Sequence, residues 1–381
     1  MDAKIFQNHL EKDLIPFWNK MEDKEKGGFY GFADCNGMPD KTYVKSCILN
    51  SRILWFYSAS YKLLHREELL EKANHAFDFL KEYFFDSRYG GVLWSVKADG
   101  TPQDTTKHTY NMAFAIYALS VFYQAGKNKE ALNLAYEIYR IIEDKCRDND
   151  GYFEAFSREF EPVSNEKLSE NGVMAARTMN TLLHVMEAYT ELFRADEFFM
   201  VADSIRKILQ IFKTKVFDSE KEMCRVFFDK TYNSLIDLDS YGHDIEASWL
   251  IDRACQVLGD KAYCKEMLPV INALADGACK NGLDKNKCSM NNENERGRIN
   301  ASKIWWVQAE SVIGFYNAYQ NNPDKKEYKF ASENIWDYIQ KHIIDKKTGE
   351  WIECISQNNS LKKISLLPIH GNALTIMEEC A

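Results

Sequence analysis

The chain has 381 residues, 45% hydrophobic and 13% aromatic, which marks a globular protein with a large buried core. Its 48 basic residues against 57 acidic ones leave a net charge of −9, with no basic run of the kind that tracks phosphates, so nucleic acid is not an expected partner. The opening stretch MDAKIFQNHLEKDLIPFWNK is charged throughout and no apolar run approaches membrane-spanning length. These features exclude a signal peptide or membrane anchor and predict a cytoplasmic protein.

In chain order, an amphipathic segment at 5–21 leads. Aromatic-rich segments then recur at 51–64, 109–123, 178–193, 243–258 and 304–319, beginning about 60 residues apart. Between them lie segments with one apolar stripe and one solvated face, at 68–85, 129–142, 197–212, 262–278 and 326–343. Glycine turns flanked by alternating aromatic residues at 26–39, 89–102, 150–162 and 348–359 predict short β-hairpins, placed at the rim of a pocket. The polar stretch 281–300 reads as one long loop.

Ten cysteines are scattered without a C-x-x-C pair, which suits reduced, buried thiols better than disulfides or a zinc site. No linker interrupts the pattern, so residues 1–381 are expected to form one domain. Each helical pair can bury its stripe only against its neighbours, and that requirement predicts an all-α fold, an (α/α)6 barrel with short β-hairpins at the pocket rim.

The segment SYGHDIEASWLIDRAC at 240–255 places His243, Glu246 and Leu250 on one helical face that starts polar and ends apolar. A lone His-x-x-Glu falls short of a zinc or di-iron site, so no metal is expected. If the inner helices run parallel, their first turns form a ring at one end of the barrel. Arg52, Tyr110, Asn180, His184, His243, Glu246, Trp306 and Glu310 fall there. Singly, each has an ordinary packing role. Jointly they are hard to explain by packing, because buried polar groups are costly unless paired, and a polar pocket with aromatic walls suits a sugar.

The segments SRILWFYS, DTTKHTYNMAFAIYALS, LSENG, SYGHDIEASWLIDRA and WWVQAE resemble the cellobiose 2-epimerase branch of the N-acylglucosamine 2-epimerase family, over about residues 5–351. The resemblance implies an isomerase that reversibly inverts C2 of the reducing-end glucose in β-1,4 disaccharides such as cellobiose and lactose, without metal or redox cofactor. It implies two histidines on opposite faces of the open-chain sugar, working through a cis-enediolate. By the same resemblance His243 is one acid/base, Arg52 stabilises the enediolate oxygen, and Tyr110, Asn180, His184, Glu246, Trp306 and Glu310 hold the sugar and assist ring opening. Trp249 and Trp305 are supporting wall. The only expected partner is the small disaccharide, the protein acting as a monomer or weak homodimer.

The family's second histidine lies in a C-terminal motif like W-K-x-P-Y-H-N-x-R, whereas this chain ends SLKKISLLPIHGNALTIMEECA. Back-translation of Gly371 to Ala381, read from the last base of the His370 codon, gives WKCPYHNGRMC. The chain is therefore expected to carry a one-base deletion near Leu361, with the second histidine falling at Ile376, the motif tryptophan at Gly371, and His370 an accident. Alternatives are N-acylglucosamine epimerisation or mannose isomerisation, an (α/α)6 glycoside hydrolase using Glu246 and Glu310, or sugar binding without catalysis.

Overall fold

The recurring aromatic-rich segments fold as five helices buried along most of their length: Cys47–Leu64, Thr109–Gly126, Met179–Asp196, Tyr241–Leu258 and Trp305–Asn321. The computed structural model describes residues 3–356 and the backbone of 361–362. A helix that is apolar on most sides must be covered on most sides. Each of these packs against the next in the series, and amphipathic helices lie outside them. The outer set comprises the helical run 3–20 and helices Glu67–Phe79, Lys129–Lys145, Phe199–Ile211, Lys261–Gly277 and Lys326–Tyr338. Five inner and six outer helices among the described residues build the (α/α)6 barrel.

The first inner helix begins at Cys47, ahead of the Ser51 expected from hydrophobicity, because Ser46 caps it. The Ser46 hydroxyl accepts from the Leu49 N–H at 3.2 Å, a bond that hydrophobic periodicity does not register. The fourth inner helix likewise begins at Tyr241, ahead of the His243 expected from hydrophobicity.

Each outer helix leads into a bend built on an aspartate. Asp23, Asp86, Asp148, Asp218, Asp284 and Asp345 each accept backbone N–H bonds from residues two to five positions on. At three of the bends a cation two residues before an inner helix reaches back to the aspartate. Lys45 Nζ lies 2.8 Å from Asp23, Lys107 Nζ 3.0 Å from Asp86, and Arg177 Nη2 2.6 Å from Asp148. The short strand carrying each cation pairs with the following hairpin: Lys45 with Val96, Lys107 with Phe156 and Arg177 with Phe228.

The bends at Phe217–Cys224 and Leu283–Met290 are absent from the sequence-based set. Their turns place Glu222 and Lys287 at positive φ, 57° and 54°, where the other repeats use glycine, so the usual signal is missing. The stretch 281–300 is also more than a loop. Glu293–Glu295 pairs with Arg298–Asn300 across a turn at Gly297, φ 83°, and Leu238–Ser240 joins as a third strand.

The outer ring closes where the first outer helix meets the last. Phe6 packs on Trp336 with ring centroids 4.4 Å apart, and Trp351 Nε1 donates to His9 Nε2 at 2.9 Å. Among the described residues Cys47, Cys146, Cys224 and Cys255 are buried free thiols, as expected, but Cys35 and Cys288 are exposed. No described helix is long and apolar enough to cross a membrane.

Candidate active site

Counted from their first residues, the inner helices present the same two positions to the barrel's axis. The second residue is Tyr110, Asn180 and Trp306 in the second, third and fifth helices; the sixth is Arg52, His184, Glu246 and Glu310 in the first, third, fourth and fifth. These positions are four residues apart and share a face. The fourth helix departs by one, with Gly242 second and His243 third. A side-chain carbon on Gly242 would meet the Trp306 ring at 2.7 Å and Val307 at 2.8 Å, so glycine is what lets the fifth helix approach. Trp306 then lies on His243, ring centroids 4.7 Å apart and tilted by 45°.

Arg52, Tyr110, Asn180, His184, His243, Glu246, Trp306 and Glu310 all line one cavity of about 410 Å³, within the usual range for a small-molecule site. Trp305 lines it too. Trp249 stands behind, its indole N–H donating to Glu310 Oε2 at 3.0 Å. The mouth is formed by Leu168, Glu170, Phe227, Leu238, Asn292 and Glu293. Asn171 on one of these segments bonds Glu295 on another at 3.3 Å.

The two histidines of the site are held differently. His243 Nδ1 lies 2.7 Å from the Ser240 hydroxyl, and burial, with His184 adding to it, pushes its pKa down to about 3. His243 is therefore neutral at physiological pH, with Nε2 left for a ligand. His184 Nδ1 lies 2.7 Å from Glu187 Oε2, and its Nε2 is 3.7 Å from Glu246 Oε1. The His184 ring stands edge-on to Tyr110 at 5.1 Å and close to Phe114 at 4.8 Å, and the Arg52 guanidinium lies over Phe114 at 4.3 Å.

Burial, reinforced by Glu310 and Glu187, raises the Glu246 carboxyl well above the ordinary carboxylate range, against the opposing pull of Arg52. Burial also pushes the Tyr110 hydroxyl up to about 12, despite Arg52 beside it. The site thus holds a neutral imidazole, a carboxyl whose pKa burial raises and a guanidinium, all at the N-terminal turns of helices whose dipoles favour negative charge. Among the described residues no three His, Cys, Asp or Glu groups are arranged to hold a metal ion.

Ser240 and Glu187 were not singled out by sequence. The signal was present in each case, a serine three residues before His243 and a glutamate three after His184, but that spacing is common on any helix. His370, Gly371 and Ile376, with the expected shift of frame near Leu361, lie outside the described residues.

Comparison with known proteins follows the same lines. The family model described as N-acylglucosamine 2-epimerase matches residues 27–368. The chain is 46% identical to a cellobiose 2-epimerase of Eubacterium cellulosolvens, over 94% of this chain and 92% of that protein. Among solved structures, a sugar epimerase from a ruminal bacterium superposes with a TM-score of 0.94 at 41% identity, covering 99% of this chain and 98% of the other. A cellobiose 2-epimerase from Bacillus thermoamylovorans superposes with a TM-score of 0.93 at 40% identity, covering 98% of each.

Proposed function

The chain belongs to the N-acylglucosamine 2-epimerase family, and on that premise we propose that it is an isomerase inverting C2 of the reducing-end glucose of β-1,4 disaccharides, cellobiose to glucosyl-mannose and lactose to epilactose. The observation that carries this reading is the convergence of eight residues from five inner helices on one cavity. The relatives at 46% and 40% identity are cellobiose 2-epimerases, and that similarity favours a disaccharide over N-acylglucosamine or free mannose.

The reaction requires a hexose to open, lose its C2 proton and regain one on the other face. His243, neutral and with Nδ1 held by Ser240, takes the C2 proton at Nε2. The electrons left at C2 move into the C1–C2 bond and onto the carbonyl oxygen, giving a cis-enediolate. Arg52 and the N-terminal turns of the inner helices stabilise that oxygen, and enclosure strengthens their effect. Glu246, whose protonated form burial favours, donates to a sugar oxygen during ring opening, with His184 opposite it. Trp306, tilted against His243, forms an apolar wall against the sugar ring, and Trp249 orients Glu310.

Inversion also needs a second acid/base on the opposite face of C2. We assign that role to the histidine that the shifted reading frame places at Ile376. The protein works as a monomer or weak homodimer on its small-molecule substrate.

The test is proton NMR of cellobiose in D2O with two proteins, this chain and its one-base-restored counterpart, alongside sequencing of the coding DNA across codon 361. A mannose-type product deuterated at C2, formed by the restored chain alone, is the expected outcome. Equal activity of the chain as written would overturn the frame assignment. Release of glucose would replace the epimerase reading with a hydrolase, and saturable binding without product in either frame would leave a sugar-binding protein.

A further inference from the structure

Glu187 sits one turn beyond His184 on the third inner helix, with Oε2 2.7 Å from His184 Nδ1. Both side chains are buried, 9% and 8% exposed, so water does not compete for this bond. With the glutamate oxygen as acceptor, Nδ1 is the donor and the lone pair is left on Nε2. Nε2 is the nitrogen nearer the Glu246 carboxyl, at 3.7 Å.

The position of Glu187 is unusual in a second respect. It lines the main cavity and also a smaller one of about 80 Å³, and Trp55 and Tyr117 are likewise common to both. The smaller cavity carries Lys62, Arg194 and Arg253, with the two arginines 2.7 and 3.5 Å from Glu191. Facing His184 from the other inner helices are Arg52 across Phe114, Tyr110, His243, and Glu246 with Glu310 near it.

We propose that Glu187 is a positioning residue that holds the proton of His184 on Nδ1 and presents Nε2 to the sugar as an acceptor. His184 Nε2 then faces the Glu246 carboxyl, 3.7 Å away, as an acceptor, and a sugar hydroxyl within reach of both can donate to Nε2. This proposal rests on the epimerase reading for its consequence in catalysis, but not for its geometry.

Two measurements test it. The first needs no activity: nitrogen-15 NMR of histidine-labelled full-length protein, with His184 assigned by its loss in His184→Asn, must show the Nδ1–H form. Glu187→Leu, which removes the acceptor at Nδ1, must shift His184 toward the Nε2–H form. An Nε2–H tautomer in the unsubstituted protein, or a tautomer indifferent to Glu187→Leu, overturns the proposal.

The second measurement uses the form of the chain that epimerises cellobiose. Glu187→Leu is expected to lower kcat about 100-fold with little change in KM, and to add nothing in a His184→Asn background. Additive losses would show that Glu187 acts independently of His184, and would overturn it equally. A tautomer that responds as expected in a protein that never epimerises sugars would sink the functional reading and leave the positioning role standing.

Discussion

The first and fourth inner helices enter the barrel in opposite ways. Before the first, Lys45 is fully buried and reaches 2.8 Å to a buried Asp23, with a further bond to the Gly27 carbonyl. Before the fourth, the equivalent position holds Asp239, paired among the described residues with Lys221 at 3.7 Å and the Asn294 amide at 3.1 Å. The extra strand pairing of Leu238–Ser240 with Glu293–Glu295 replaces the ion pair there. A fixed charge pair anchors the first entrance, while the fourth is anchored by backbone bonds and leaves Ser240 to hold His243 through a neutral contact. The repeat that departs most from the common plan carries the proposed acid/base.

That contrast can be broken at either end. The largest expected effect is on activity: in the one-base-restored chain, His243→Asn should lower epimerisation about 10²–10⁴-fold, by NMR of C2 deuteration, with the thermal midpoint little changed. A large fall in the midpoint would show that the fourth entrance depends on His243 for its structure.

Next comes stability at the first entrance. Lys45→Ala strands a buried carboxylate and should cost about 3–5 kcal/mol in urea unfolding. The acid side sharpens this. Burial opposes ionisation of Asp23, but the Lys45 ammonium and two backbone N–H groups outweigh it and hold its pKa below the usual value. Because the folded value lies below the unfolded one, the stabilisation is complete above the ordinary carboxylate range and is lost as pH falls through the folded value. Urea titrations between neutral and strongly acidic pH should show this loss in the unsubstituted protein and a smaller one in Lys45→Ala.

The smallest effect is expected at Asp239. Asp239→Asn should change stability by no more than about 0.5 kcal/mol, since the strand pairing carries that entrance. A loss comparable with that of Lys45→Ala would erase the distinction between the two.

Much of this was legible because barrel helices repeat. Hydrophobic segments at even intervals expose the inner set, and polar residues at the head of each segment can only meet in one place once the helices are parallel. Arg52, Tyr110, Asn180, His184, Glu246, Trp306 and Glu310 were readable in that way, and His243 with them. The bends at Glu222 and Lys287 were not, since a left-handed residue other than glycine carries no local mark. The hairpin within 281–300 was hidden by its polar composition, with one strand partly buried and the other exposed. Glu187 and Ser240 were hidden for a different reason: their importance lies in which ring nitrogen they touch, and a sequence records no nitrogen.

The bond from Trp351 to His9 has a consequence for how the molecule is made. Its partners are 342 residues apart. At about 5–20 residues per second, a ribosome delivers the tryptophan roughly 20–70 s after the histidine. Throughout that interval Phe6 and His9 lack the partners that will cover them, and the nascent barrel is an open arc with apolar flanks. The protein therefore spends most of its synthesis in a state that a holdase chaperone would recognise, and its ring can be sealed only as the last repeat emerges.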